Sequence, residues 1–180
     1  MIADFSSALL LLDSSAGHAY LFVVALLLGL MLLGKQLGAL FFVAAFPATL
    51  LHELSHLLVG LITFGRPSGM RLWPQRSARG YVLGSVTCRN VRWYNGLLIG
   101  LAPLFLLPVA AVLLLWRVQA SPRLAPEDAL WMYTVASLLY AGLPSWQDLR
   151  IAAGSSWLLI LLAVSAVLAV TNGWLPSAVH

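Results

Sequence analysis

The amino-acid sequence predicts an all-α integral membrane protein with about five transmembrane helices and a short β-hairpin-like excursion at the membrane surface. Three observations carry that expectation. Hydrophobic residues make up 61% of the 180 and charged residues 9%, with a mean hydropathy of +0.93, whereas a water-facing surface needs about 25% charged residues. The apolar residues gather into runs close to the roughly 20 residues that cross a bilayer. Between the runs lie short segments where Arg, Gly and Pro collect. The abundance of apolar surface excludes disorder, and a lone cysteine, Cys88, excludes a disulfide scaffold. The net charge of +4 and pI of 9.7 come almost entirely from loop arginines. They read as topology determinants and lipid-headgroup contacts, not as a nucleic-acid surface.

Residues 5–12 are apolar but too few to span, and they read as an interfacial lead-in. From Tyr20 to Phe64 the chain is apolar almost throughout. One helix of that length would extend about 68 Å, far beyond the hydrocarbon core. The Gly34-Lys35-Gln36-Leu37-Gly38 break therefore predicts a turn between two spans, 16–34 and 39–64. Residues 65–93 hold six arginines and short alternations such as Gly80-Tyr81-Val82-Leu83 and Ser85-Val86-Thr87-Cys88, a hairpin pattern. A third span, 95–116, contains Pro103 and Pro108 and is expected to be kinked and interior. Ser121, Pro122 and Pro126 mark a loop, and Glu127-Asp128 suit a helix N-terminus. A fourth span, 129–147, is interrupted by Gly142 and Pro144, and a fifth covers 155–171. Most tryptophans (73, 93, 116, 131, 146, 157 and 174) mark span ends, as an aromatic belt does.

Five spans put the N-terminus, the 65–93 loop and a 148–154 turn on one side with seven arginines (66, 71, 76, 79, 89, 92 and 150). Lys35, Arg117 and Arg123 fall on the other. The positive-inside rule then places the arginine-rich side in the cytoplasm.

Within the second span stands His52-Glu53-Leu54-Ser55-His56, an H-E-x-x-H motif. Residues four apart on a helix differ by about 40° of rotation, so both imidazoles face one way and can bind one ion. Glu53 projects from the adjacent edge as a candidate general base, and zinc is the ion this motif implies. The chain has only two glutamates and four histidines, yet three of those six residues fall here. A charged side chain at membrane depth costs at least about 2.5–3.5 kcal/mol, so it reads as functional. A buried polar cluster holding helices together is the bland alternative, but such contacts average about 0.6 kcal/mol and do not require this spacing.

A tetrahedral catalytic zinc takes three protein ligands and water. Outside the motif the candidates are His18, His180, Cys88, Asp4, Asp13, Glu127, Asp128 and Asp148, and most lie at termini or loop ends. Asp148 follows the proline-interrupted end of the fourth span at a depth compatible with His56. Two readings of it stand: third ligand, or a partner of Arg150 and cap of the fifth span. Asn95, at the head of the third span, is either a substrate-backbone or oxyanion donor or a helix cap. Cys88 reads as a free thiol, and Ser55 and Ser145 have no separate base.

An H-E-x-x-H in one membrane helix, then a hairpin-rich excursion, a proline-bearing helix and an aspartate late in a further helix resemble the site-2 protease family of intramembrane zinc metalloproteases. The resemblance covers residues 39–152 as a three-helix catalytic core, with 1–38 and 153–180 as additions within a single membrane domain. It implies His52, His56 and Asp148 as zinc ligands, Glu53 as general base, and the hairpin as the place where an unwound substrate segment adds as a strand. The family's Leu-Asp-Gly is replaced here by Pro144-Ser145-Trp146-Gln147-Asp148-Leu149-Arg150, a form similar to compact, divergent branches. The middle-helix Asn-x-x-Pro-x-Pro pattern is echoed only loosely by Asn95, Pro103 and Pro108. The expectation is a zinc endopeptidase acting on membrane-protein or peptide substrates in a prokaryotic inner membrane, its site toward the cytoplasmic side. The alternative is a non-proteolytic membrane metal-binding protein, for zinc transport or as a structural subunit.

Overall fold

The computed structural model describes residues 12, 14–34, 39–77, 80–120 and 125–172. The Gly34 to Gly38 turn, the 5–12 lead-in and the 121–124 loop fall largely or wholly outside these residues. Helix α1 (Ser15–Leu33) begins at Ser14, whose Oγ accepts from the Gly17 N–H at 3.1 Å, and helix α2 (Ala39–Ile62) carries the H-E-x-x-H motif. Four strands follow: β1 (Pro67–Arg71), β2 (Gln75–Ser77), β3 (Gly80–Val82) and β4 (Ser85–Cys88). The proline-bearing segment is helix α3 (Gly96–Gly100), a 3-10 turn (Ala102–Phe105) and helix α4 (Leu106–Ala120). Helices α5 (Asp128–Ala141), α6 (Trp146–Ser155) and α7 (Trp157–Thr171) follow among the described residues.

Three helical stretches are long and apolar enough to cross a membrane: Ser15–Leu33, Phe41–Ile62 and Ala102–Ala120. Helices α5 and α7, with 14 and 15 residues, extend only about 21–22 Å, short of the roughly 30 Å hydrocarbon core. Apolar side chains cover much of the outside, among them Leu33, Val43 and Ile62. Such a surface suits lipid and not water. The buried cluster joins Tyr20 and Val24 of α1, Val118 of α4, and Met132, Val135 and Ala136 of α5.

The α4–α5 corner holds a charge pair that sequence reading divided between a topology marker and a helix start. Asp128 does open α5, but it is 1% exposed. Its Oδ1 accepts from Arg117 Nε at 2.6 Å, and its Oδ2 from the Ala125 N–H at 2.7 Å. Removing one member of a buried pair strands the other charge, at a cost of about 3–5 kcal/mol. Asp128→Ala is therefore expected to lower the thermal unfolding midpoint in detergent sharply, and an unchanged midpoint would contradict the pairing.

The strands form one interrupted antiparallel hairpin, with β1 on β4 (Met70 opposite Val86) and β2 on β3 (Arg76 opposite Tyr81). Its base is tied by Arg89 N–H to Arg66 O at 3.1 Å and Asn90 N–H to Gly65 O at 2.9 Å. Phe64 (φ 57°) and Arg66 (φ 49°) take the left-handed conformation, rare for such side chains, and the chain reverses there. The sequence led us to expect an excursion, but the hairpin does not leave the helices. It folds back along α2, so that Gly84 lies against Thr49 and Glu53 and the Trp73 ring meets Phe42 at 5.5 Å. Phe42 is about 30 Å of helix from Ile62. The reversal after Ile62 aims the strands at the helix instead of away from it. Arg66, Arg89 and Arg92 gather at the base of the hairpin, beside the end of α2, while Arg71 lies farther along it.

The second correction concerns 148–154. The expected turn is helix α6, because Ser145 and Asp148 form a capping box that nucleates a helix immediately after Pro144. The interrupted fourth span thus ends at Ala141, and the next helix after α6 starts at Trp157.

Candidate metal centre

His52 and His56 stand one turn apart on α2, their Nε2 atoms 3.3 Å from each other. Each ring is oriented by a backbone carbonyl that a helix break makes available. His52 Nδ1 donates to Ala141 O at 2.8 Å, and His56 Nδ1 to Ile99 O at 2.7 Å. In an unbroken helix the Ile99 carbonyl would take the N–H four residues on, but that residue is Pro103, which has none. The matching donor for Ala141 is Ser145 N–H, which turns instead to Asp148 Oδ2 at 2.7 Å. Carbonyls only accept, so the ring protons sit on Nδ1 and both Nε2 lone pairs point inward, the tautomer a metal ligand needs.

Asp148 completes the group. Its Oδ1 lies 3.2 Å from His56 Nε2 and its Oδ2 3.3 Å from His52 Nε2. Donors at about 2.0–2.1 Å from a tetrahedral ion lie about 3.3–3.4 Å apart; the two Nε2 atoms meet that spacing, and each meets it to a different Asp148 oxygen. His52, His56 and Asp148 could therefore hold a metal ion. The alternative role of Asp148 is met as well, since it caps a helix. That helix is α6, and among the described residues Asp148 makes no ion pair with Arg150.

Close packing of α6 on α3 sets the position of Asp148. Gly96 and Gly100, a small-xxx-small pair, let the two backbones approach. A Cβ on Gly100 would lie 2.5 Å from the Asp148 carbonyl oxygen and 2.8 Å from Ala152 N, and one on Gly96 2.5 Å from the Ser155 side chain. Those atoms are backbone or tightly held, so the helices must separate. Gly100→Ala is expected to push Asp148 off the histidines and to weaken metal affinity about 10–100-fold, as loss of an orienting partner does. Competition against a chromophoric chelator measures this, and wild-type affinity in the variant would refute it.

Glu53, 6% exposed, follows His52 on α2 and is covered by the hairpin. A Cβ on Gly84 would fall 2.7 Å from Glu53 Cγ, 2.8 Å from its Oε1 and 2.9 Å from Thr49 Cγ2. Only glycine lets the backbone come this near. Gly84→Ala is expected to displace the Glu53 carboxylate while leaving the His52, His56 and Asp148 triangle intact. The expected readout is unchanged metal content with turnover reduced at least tenfold, within the range positioned acid–base groups contribute. Equal turnover would refute the contact's importance.

The remaining candidates fall elsewhere. Asn95 is fully buried, and its side chain is used in pinning the loop before α3. Its Nδ2 donates to Thr63 O at 3.1 Å and Asn90 O at 2.9 Å, while its Oδ1 accepts from Arg92 N–H at 2.7 Å. It makes no side-chain cap bond to α3, and with both amide protons donated it has none for a substrate. Cys88 is a half-buried free thiol against Gly60, pushed up in pKa by burial, and it does not join the metal group. Ser55 Oγ donates to His52 O at 2.6 Å, and Ser145 serves the α6 cap. Asp4, Asp13 and His180 lie outside the described residues. His18, Glu127 and Asp128 are described but do not join the metal group. Sequence reading missed Gly84, Gly96, Gly100 and the two orienting carbonyls. The signals were present: Gly96 and Gly100 at helical spacing, and Pro103 four residues after Ile99.

No protein family, curated protein or solved structure matches this chain.

Proposed function

We propose that the chain is an intramembrane zinc metalloendopeptidase, a compact and divergent member of the site-2 protease family. One observation carries the reading: two imidazole Nε2 atoms and a carboxylate converge closely enough to hold one metal ion, with Glu53 the next residue after His52. Two histidines and a carboxylate form the donor set of catalytic zinc sites that keep a position for water. His52, His56 and Asp148 would hold the zinc, which would supply Lewis-acid activation of water and of the scissile carbonyl.

The protein's own residues do the rest. Ala141 O and Ile99 O hold the imidazoles in the ligating tautomer, and the α6 cap holds Asp148. Glu53 accepts the proton released from water and delivers it to the leaving amine, which separates as a neutral product. The close approach of Gly84 restricts where the Glu53 side chain can go. In this reading α1, α2 and the α3–α4 segment cross the bilayer, and α5 and α7 are shorter crossings that bring the five spans together. The hairpin's irregular backbone is tolerated at membrane depth because it packs on α2. A segment of a membrane-protein substrate, unwound from its helix, adds along the hairpin as an extended strand.

The test is purified chain in proteoliposomes with a tagged single-span membrane protein. Cleavage that stops with a membrane-permeant chelator and returns with zinc is the expected result. Zinc flux across the liposomes without cleavage would assign the site to transport instead.

A further inference from the structure

We infer that a second site, separate from the metal centre, binds the phosphate of an anionic membrane phospholipid. A cavity of about 580 Å³ opens where the hairpin leaves α2, lined by Arg66, Pro67, Ser68, Arg89, Asn90 and Arg92. Three arginines thus line one concavity. Among the described residues the ion pairs formed by arginine all belong to Arg117, so none of these three is neutralised by a carboxylate. Like charges gathered without a counter-charge repel one another, and a shared anion removes that cost. Guanidinium groups match phosphate oxygens with paired hydrogen bonds.

The cavity is also built, not a chance meeting of surface side chains. Arg66 is fixed in the left-handed conformation at φ 49°, and its carbonyl accepts from the Arg89 N–H at 3.1 Å. Asn90 Oδ1 accepts from Arg92 Nε at 2.8 Å, and Asn95 holds the Arg92 N–H. The three side chains are therefore presented from one braced loop junction.

The rim selects a lipid over a soluble anion. Ile62, Phe64, Trp93 and Tyr94 stand exposed beside the arginines, and the pocket lies at the end of a helix apolar enough to cross a membrane. A ligand with an anionic head and an apolar body satisfies both halves, whereas inorganic phosphate satisfies only one. Arg66 and Arg89 face each other just outside β1 and β4, joined by the Arg89 N–H to Arg66 O bond, so one headgroup can reach both. This inference does not depend on the proteolytic reading, and its readout is lipid binding alone.

The experiment uses the full chain in a mild detergent, titrated with phosphatidylglycerol and followed by native mass spectrometry. The expected result is a saturable phosphatidylglycerol adduct. It weakens at least tenfold in the Arg66→Gln/Arg89→Gln/Arg92→Gln variant and is unaffected by Arg71→Gln, which removes a charge outside the pocket. Thermal unfolding of the variants at the wild-type midpoint shows that they are folded. Undiminished adduct in the triple variant overturns the site. Equal loss in Arg71→Gln also overturns it, as diffuse attraction only. Displacement of the lipid by millimolar inorganic phosphate overturns the lipid assignment in favour of a soluble anion.

Discussion

Glu53→Gln is expected to bind zinc as the wild type does and to cleave about 10²–10⁴-fold more slowly. The side chain keeps its size and still packs against Gly84 and Thr49, so the fold has no reason to change. What disappears is a group able to take a proton from water and give it to the leaving amine, and positioned acid–base catalysis is worth that factor. The three candidate ligand atoms belong to other residues, which is why metal content and turnover separate. Elemental analysis beside a proteoliposome cleavage assay reads both. Turnover within tenfold of wild type would remove Glu53 from the role of base. Loss of the metal would show instead that Glu53 is part of its binding.

Asp148→Asn is expected to have the opposite signature, with metal and activity lost together. The amide still accepts from the Ser145 N–H, so the α6 cap survives in large part. It carries no charge, however, and presents only one oxygen to His52 and His56, where the carboxylate presents two. The loss of affinity should exceed the roughly 10–100-fold that removal of an orienting partner costs. Wild-type zinc content in this variant would mean that the histidines hold the ion with a different third ligand.

The site was more legible in the sequence than the fold around it, for physical reasons. His52 and His56 can be placed together from spacing alone, because helical periodicity brings residues four apart onto one face. Asp148 stood out because ionisable groups are scarce in so apolar a chain. Its contact with the histidines depends on α6 docking on α3, and the two glycines that allow it look like any others in a membrane segment. The course of the hairpin was not legible at all. Alternation identifies strands, but nothing local records that they return along α2 toward Phe42. The 148–154 segment was read as a turn because prolines and polar residues mark loops, while Ser145 and Asp148 at capping-box spacing favoured a helix. Asn95 offered two readings, cap or substrate donor; it takes the N-cap position of α3, but its side chain is spent on the preceding loop. The buried Arg117–Asp128 pair could not be seen either, because it joins two helices across a loop.

The most direct test of the account is zinc stoichiometry in the chain purified from metal-replete membranes, compared with His56→Ala. The account predicts stoichiometric zinc in the wild type and its loss in the variant, since His56 Nε2 faces both His52 and Asp148. A wild-type chain that cleaves its substrate without bound metal, or a variant that keeps the metal, would contradict it.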